Sequence, residues 1–249
     1  MDWVFLSPHY DDAVFSCGGL IWELAQSGRR TAVHTVCGGQ IPDGPLSSLA
    51  EELHRSWGLS GDVVSTRREE DRQACRILGA EPIQGEIPDA VYRQHPDGTP
   101  CYPTEEHLFG GLDPGEKELV DRVTRSLQSG IPGDSRIAAP LGIGSHVDHQ
   151  LVRKAANRLE REVVYYGDYP YIRESDGAEI VAHLERSPDW ESEVFRLSPN
   201  ALERWQEAGT AYASQIDTFW ADQSVFREEI AQLARSMGGV RLWKPLEEG

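Results

Sequence analysis

Asp2-Trp3-Val4-Phe5-Leu6-Ser7-Pro8-His9-Tyr10-Asp11-Asp12-Ala13-Val14 opens the chain and decides how the rest is read. Residues 2–6 form a short apolar run rich in β-formers, as expected of a strand buried on both faces. From Asp11 to Ser27, Val14, Cys17, Leu20, Ile21 and Leu24 recur with a helical period, and Gly28 stops the pattern. A strand therefore passes at once into a helix. One imidazole and two carboxylates sit in the turn between them.

The same alternation continues downstream. Thr31 to Val36 reads as a second strand, closed by Cys37-Gly38-Gly39, and residues 40–48 read as loop. Leu49 to Leu59 is a short helix candidate, and Ser65 to Leu78 is a helix stopped by Gly79. A third strand is expected within Pro82–Ile87. Glu116–Leu127 reads as helix, Arg136–Ala139 as strand, Asp148–Leu159 as helix and Val163–Tyr166 as strand. The segment 167–199 is mixed. Asn200–Phe219 and Ser224–Met237 read as closing helices. Strands alternating with helices imply βαβ units. The expected fold is a single Rossmann-like α/β domain over residues 1–249, with a mostly parallel sheet flanked by helices. The helices from about residue 200 should pack on that same domain. Residues 92–114 are polar and rich in Pro and Gly, and so long a loop is expected to lie over a functional site.

Composition excludes several classes. The chain is 249 residues long with a formal charge of -17, and no basic cluster interrupts the acidity. Nucleic acid and anionic membrane surfaces are therefore disfavoured partners, and the acidity reads as solubility. No apolar stretch approaches the roughly 20 residues of a membrane span, and no signal-peptide pattern opens the chain. Cys17, Cys37, Cys75 and Cys101 form no CxxC motif. The first three lie in apolar patterns as small buried hydrophobes, which fits a reducing cytoplasm.

A second polar cluster, His146-Val147-Asp148-His149, follows the Arg136–Ala139 strand. In open parallel sheets ligands bind beyond the carboxyl ends of the strands, so one crevice could receive both clusters. His9, Asp12 and His149 would there offer two nitrogens and a carboxylate to one divalent metal. Three protein ligands with an open fourth position is the pattern of catalytic zinc sites. Asp11 is then placed to take a proton from water activated by the metal. His146, as imidazolium, would stabilise an oxyanion and protonate a departing amine, while Asp148 orients one of the histidines. Each cluster also has a plainer reading. Asp11 or Asp12 would serve as a helix cap, and the His-x-Asp-His stretch as a surface turn.

At these residues the chain resembles the PIG-L/LmbE-like metal-dependent N-deacetylases. The family's His-Pro-Asp-Asp-Glu signature stands here as His9-Tyr10-Asp11-Asp12-Ala13, and its His-x-Asp-His as residues 146–149. The resemblance implies zinc on His9, Asp12 and His149, one ion per chain, with Fe2+ or another divalent metal as an alternative. It implies Asp11 as general base and His146 as the oxyanion-stabilising or acid histidine. Three softer likenesses extend it. Arg67-x-x-Glu70-x-x-x-Ala74 is similar to a helix whose arginine touches substrate. Asp89 lies where a substrate-hydroxyl acceptor is common, and Ala211-Tyr212-Ala213-Ser214-Gln215 is similar to a late Ser-Gln pair. Tyr10 and Ala13 depart from the pattern. The implied reaction is hydrolysis of the amide of an N-acylated amino sugar or related small molecule.

Other chemistries remain open at this point: a metal-dependent hydrolase of an ester, lactone or phosphoester, or a catalytically silent binding module. Arg67 also reads as a solvated charge and Asp89 as a turn residue. Tyr165, Tyr166, Tyr169 and Tyr171 read as core and rim aromatics, Trp3, Trp22 and Trp205 as core, and His34 as a satisfied buried histidine. Trp220 and Trp243, if exposed, would mark an interface. His54, His95, His107 and His183 have no partner at ligand spacing. Gly38-Gly39 is too short for a phosphate-binding fingerprint.

Overall fold

Strand β1 (Trp3–Ser7) is buried at every position and is the middle one of the five parallel strands in a seven-stranded sheet. The structure, a computed structural model, describes residues 1–246. On one side of β1 lie β2 (Thr31–Thr35) and then β3 (Glu81–Gln84), and on the other lie β4 (Arg136–Pro140) and β5 (Val163–Tyr166). All four of these pairings are parallel. The order β3-β2-β1-β4-β5 makes the chain reverse its direction of travel between β1 and β4. The crevice at such a switch point is where open α/β sheets receive ligands, and both polar clusters follow these two strands.

The helices bear out the main alternation. They are α1 (Asp12–Gln26), α2 (Ser48–Ser56), α3 (Val63–Leu78), α4 (Glu105–Leu108), α5 (Lys117–Gly130), α6 (Val147–Ala156), α7 (Ser175–Arg186), α8 (Pro199–Thr210), α9 (Ala213–Phe219) and α10 (Gln223–Met237). The expected helix over 200–219 is broken at Ala211-Tyr212. Tyr212 is fully buried, its ring meets Phe15 edge-on and its hydroxyl donates to Asp71. Seating that side chain interrupts the helix.

The sheet has two further strands that sequence reading did not assign. β6 (Trp190–Phe195) and β7 (Val240–Pro245) add antiparallel to the β5 edge. Trp243 lies buried within β7, and Trp220 is buried against Phe15, Tyr169 and Phe226, so neither tryptophan marks an exposed interface. α8 packs closely on α1. A Cβ built at Gly18 would stand 2.4 Å from Trp205 Cδ1, and Trp205 Nε1 donates to the Val14 carbonyl at 2.7 Å. That contact fixes the helix carrying the first cluster. Gly38-Gly39 has a packing reason too, because a Cβ at Gly39 would fall 2.2 Å from the Glu86 carbonyl oxygen.

The segment 92–114 is more ordered than a plain loop. It contains a Gln94–Pro100 bridge and α4, and it buries Cys101, Tyr102 and Leu108 in a satellite cluster with Val91 and Val147. No helix among the described residues is long and apolar enough to cross a membrane.

Candidate active site

The turn after β1 is fastened from behind. Ser7 Oγ accepts the Ala13 N–H at 2.9 Å and donates to the His9 carbonyl. Ala13 is completely buried, so the turn is held without an acidic side chain at that position. Asp11 occupies the position preceding α1 but makes no side-chain cap, and Asp12 Oδ2 accepts the His9 N–H at 2.7 Å. Both carboxylates are thus free of the capping role that either could have played. Tyr10 turns away from the crevice and donates to the Gly38 carbonyl at 2.7 Å, beside the guanidinium of Arg68.

The second cluster is shaped by backbone conformation. Gly142, Gly144 and Ser145 all have positive φ, Ser145 at 63° despite its side chain. The chain coils back on itself, and His146 becomes the residue capping α6. Its Nδ1 accepts the Asp148 N–H at 3.2 Å, so Nε2 carries the proton and faces the crevice as a donor. His149 lies one turn further along.

The two clusters meet. Asp12 joins the predicted ligands pairwise: its Oδ2 lies 3.2 Å from His9 Nδ1 and its Oδ1 3.3 Å from His149 Nε2. The rings of His9, His146 and His149 surround one point, with donor atoms all within 4.8 Å of one another. A second donor group, His9, Asp89 and Asp148, shares the His9 ring. Asp148 is fully buried. Its Oδ2 meets His9 Nε2 at 3.0 Å and accepts the Ala90 N–H, while its Oδ1 accepts from Arg93 at 2.6 Å.

Arg67 and Asp89 both reach the site. Arg67 is only 6% exposed, which overturns the solvated-charge reading. Its Nη2 donates to Asp11 Oδ1 at 3.2 Å and its Nη1 is 4.0 Å from Asp89 Oδ2. Its guanidinium stacks on Trp57 at 4.8 Å. Asp89 is a turn residue, its Oδ1 accepting the Val91 N–H, and its Oδ2 reaches the site 3.6 Å from His9 Nε2. The other two soft likenesses also come together, since Glu70 accepts from both the N–H and the hydroxyl of Ser214.

Burial and charge set the protonation states. Burial pushes the Asp11 carboxyl up to about 6, against the pull of Arg67 and with the push of Asp12. Asp12 is held well below the usual range, because His149 and His9 outweigh its burial. Burial opposes charge on His9 and His149 as well. Asp89, Asp12 and Asp148 nevertheless raise His9 well above its ordinary value, and Asp12 and Asp168 raise His149 to about 10. His146 goes the other way, driven well down by burial and by the charges of its two histidine neighbours. The sequence reading had it acting as an imidazolium. Its buried ring, with Nδ1 already accepting a backbone N–H, is instead a neutral donor.

Several site residues escaped sequence reading. Asp168 is fully buried, and its Oδ1 lies 2.6 Å from His149 Nδ1. It follows β5 by two residues, so the rule that strand ends carry chemistry would have found it. Arg93 clamps Asp148. Phe109 and Tyr171 form an aromatic wall, with Phe109 5.3 Å from the His146 ring and Tyr171 5.8 Å from His149. The 92–114 segment therefore borders the site as expected. His34 has no such place, and its buried Nδ1 finds no partner among the described residues.

Residues 4–159 match the family model described as PIG-L, GlcNAc-PI de-N-acetylase, and the chain belongs to that family. It is 34% identical over 186 residues to a 2'-N-acetylparomamine deacetylase of Niallia circulans, a match covering 68% of this chain and 66% of that protein's length. Among solved structures it is similar to a deacetylase of the teicoplanin biosynthesis pathway, with a TM-score of 0.81 and 28% identity over 98% of this chain and 97% of that one. It is also similar to a zinc-inhibited form of teicoplanin deacetylase, with a TM-score of 0.79 and 27% identity over the same shares of each chain. The mostly parallel sheet flanked by helices is shared with these deacetylases.

Proposed function

We propose that this protein is a zinc-dependent N-deacetylase that hydrolyses the amide of an N-acylated amino sugar, free or as part of a larger small molecule. One observation carries the reading. Asp12 joins His9 and His149, the His146 ring stands edge-on to His9 at 4.9 Å, and Asp11, held by Arg67, is the residue before Asp12, so two further acid–base groups lie beside the donor set.

The donor set fits a divalent ion. Asp168 occupies His149 Nδ1 and so leaves Nε2 for the metal, and Asp12 can address both histidines. When bound on His9, Asp12 and His149, the ion supplies Lewis acidity toward water and the amide carbonyl; zinc or Fe2+ suits these donors. Asp11 then accepts the proton of the attacking water at its carboxylate oxygen. Its pKa near 6 leaves it mostly ionised at neutral pH yet basic enough to hold the proton. His146 donates its Nε2–H to the carbonyl oxygen as negative charge develops there. The proton held by Asp11 passes to the departing nitrogen, and a free amine and a carboxylate leave. Arg67 holds Asp11 in place, and with Asp89 it offers a donor and an acceptor to substrate hydroxyls. Asp148 keeps the His9 ring oriented.

The naming of relatives as deacetylases of 2'-N-acetylparomamine and of the teicoplanin pathway supports an N-acylated small molecule as substrate. Phe109 and Tyr171 beside the histidines, and Trp57 beside Arg67, supply the aromatic faces on which a sugar ring can stack. Four free, buried cysteines support a cytoplasmic setting.

The test is amine release from N-acetylglucosamine, 2'-N-acetylparomamine and related conjugates, with metal content measured on the same sample before and after chelation and zinc restoration. Asp11→Ala should keep the metal and lose about 10²–10⁴-fold in turnover, while His149→Ala should lose the metal. A fully active Asp11→Ala protein would remove the general-base assignment.

A further inference from the structure

We propose that His95, Cys101 and Asp113 form a second divalent-metal site, one that contains a thiolate and takes an ion of the zinc class. Sequence spacing gives His95 no ligand partner, but the fold supplies two. His95 N–H donates to the Thr99 carbonyl and Cys101 N–H to the Arg93 carbonyl, closing a tight hairpin around the Gln94–Pro100 bridge. That hairpin brings His95 and Cys101 to the same side. Asp113 is delivered from the far end of the segment. Its N–H donates to Tyr102 Oη at 3.0 Å, and its Oδ1 accepts the Gly115 N–H at 2.7 Å. Oδ2 is left pointing toward His95 Nε2, 3.5 Å away.

The three donor atoms all lie within 4.8 Å of one another. Zinc at its usual 2.0–2.3 Å bond lengths sets tetrahedral ligand–ligand edges of about 3.3–3.8 Å, so side-chain shifts of roughly an ångström suffice to close the site. The Cys101 thiol makes no hydrogen bond among the described residues, and it is buried while His95 is 34% exposed. A cleft of about 660 Å³, lined by His95, Cys101 and Glu116 and also by Arg93, Arg122 and Arg125, opens the His95 and Cys101 side of the donor set to solvent. Glu116 does not serve as a fourth ligand, because its two oxygens are taken by Arg93 and Tyr102.

The thiol selects the ion. Sulfur favours zinc, cobalt or nickel over magnesium or calcium. Binding forms an S–metal bond, releases the thiol proton to solvent and tightens as pH rises. An occupied site would tie the hairpin to the chain just before α5. Arg93, between these two arms, is the residue that clamps Asp148 in the catalytic crevice.

The two sites separate spectroscopically, because the catalytic donors contain no sulfur. Full-length protein stripped with a chelator is titrated with Co2+. The expected result is two ions per chain and a near-ultraviolet thiolate-to-cobalt charge-transfer band. His95→Gln and Cys101→Ser should each abolish the band and reduce the stoichiometry to one, with the catalytic ion retained. His95→Gln changes a partly exposed side chain, so it keeps the test valid if Cys101→Ser misfolds. Saturation without a sulfur band would overturn the proposal. So would a band that survives both His95→Gln and Asp113→Asn, since another cysteine would then be the ligand.

Discussion

Asp168→Asn is the most informative single change at the catalytic crevice. In the native protein the two oxygens of Asp168 do separate work: Oδ1 accepts from His149 Nδ1 at 2.6 Å, and Oδ2 accepts the Ile143 N–H at 3.0 Å. A carboxylate only accepts, so His149 must keep a proton on Nδ1; without metal its Nε2 is also protonated and faces Asp12, and that second proton is the one a metal on Nε2 would displace. Asparagine offers one acceptor and one donor. If its carbonyl faces Ile143, its NH2 meets His149 Nδ1 and stabilises the opposite tautomer, whose Nε2–H cannot bind metal. If its carbonyl faces His149, the tautomer survives but the Ile143 N–H is left buried against a donor, at a cost of about 1–3 kcal/mol in stability. Loss of such an orienting carboxylate typically weakens metal affinity about 10–100-fold, or roughly 1.4–2.7 kcal/mol. Competition against a chromophoric chelator reads the affinity, and thermal unfolding of the stripped protein reads the stability. Zinc affinity within twofold of native, with an unchanged Tm, would refute the claim that Asp168 sets the His149 tautomer.

Arg67→Met removes the cation 3.2 Å from Asp11 and should raise the Asp11 pKa by about 1–3 units. As the proposed base, Asp11 works as carboxylate, so the acid limb of the pH–rate profile should move up by that amount, with most activity recovered near pH 9. A uniform loss at all pH values would mean that Arg67 serves only to bind substrate. Gly18→Val places a side chain where Trp205 Cδ1 already stands 2.4 Å from the position of a Cβ. Overpacking of this kind costs about 1–3 kcal/mol and should lower Tm by about 2–10 °C; an unchanged melting curve would show that α8 is free to shift off α1.

What was legible in the sequence follows the physics of each element. β1, β2, β4 and β5 are largely buried parallel strands, and such strands read as apolar runs, clearest in β1 and β5, interrupted by His34 in β2 and opened by Arg136 in β4. β6 is largely exposed and reads Trp-Glu-Ser-Glu-Val-Phe, a pattern carrying no comparable signal. The break before α9 is invisible locally, because it arises from where Tyr212 is seated, on Asp71 and Phe15 from distant parts of the chain. The same division holds at the site. His9, Asp12, His146 and His149 announce themselves by spacing within a turn. Arg93 and Asp168 act through residues 55 and 19 positions away, and only the crossing of loops at the switch point brings them in. The grip of Arg93 on Asp148 depends on an ordered 92–114 segment, which composition alone marks as loop.

The charge balance of the crevice ties these pieces together. Asp11, Asp12, Asp89, Asp148 and Asp168 surround the three histidines, and Arg67 and Arg93 are the guanidiniums that reach them. With neutral imidazoles, the cluster lacks three positive charges. Buried carboxylates at such density are costly unless cations accompany them. Without metal the deficit falls on His9 and His149, and this is why both are drawn toward the imidazolium form although His149 is buried and His9 nearly so. His146 is held apart from the same field first by its burial and then by the charge its histidine neighbours already carry, while its Nδ1 accepts a backbone N–H. Protons and a divalent ion are thus alternative occupants of the same two nitrogens, while the third histidine is reserved as a neutral donor. This separation of roles among three adjacent imidazoles is what supports assigning His9 and His149, and not His146, to the metal.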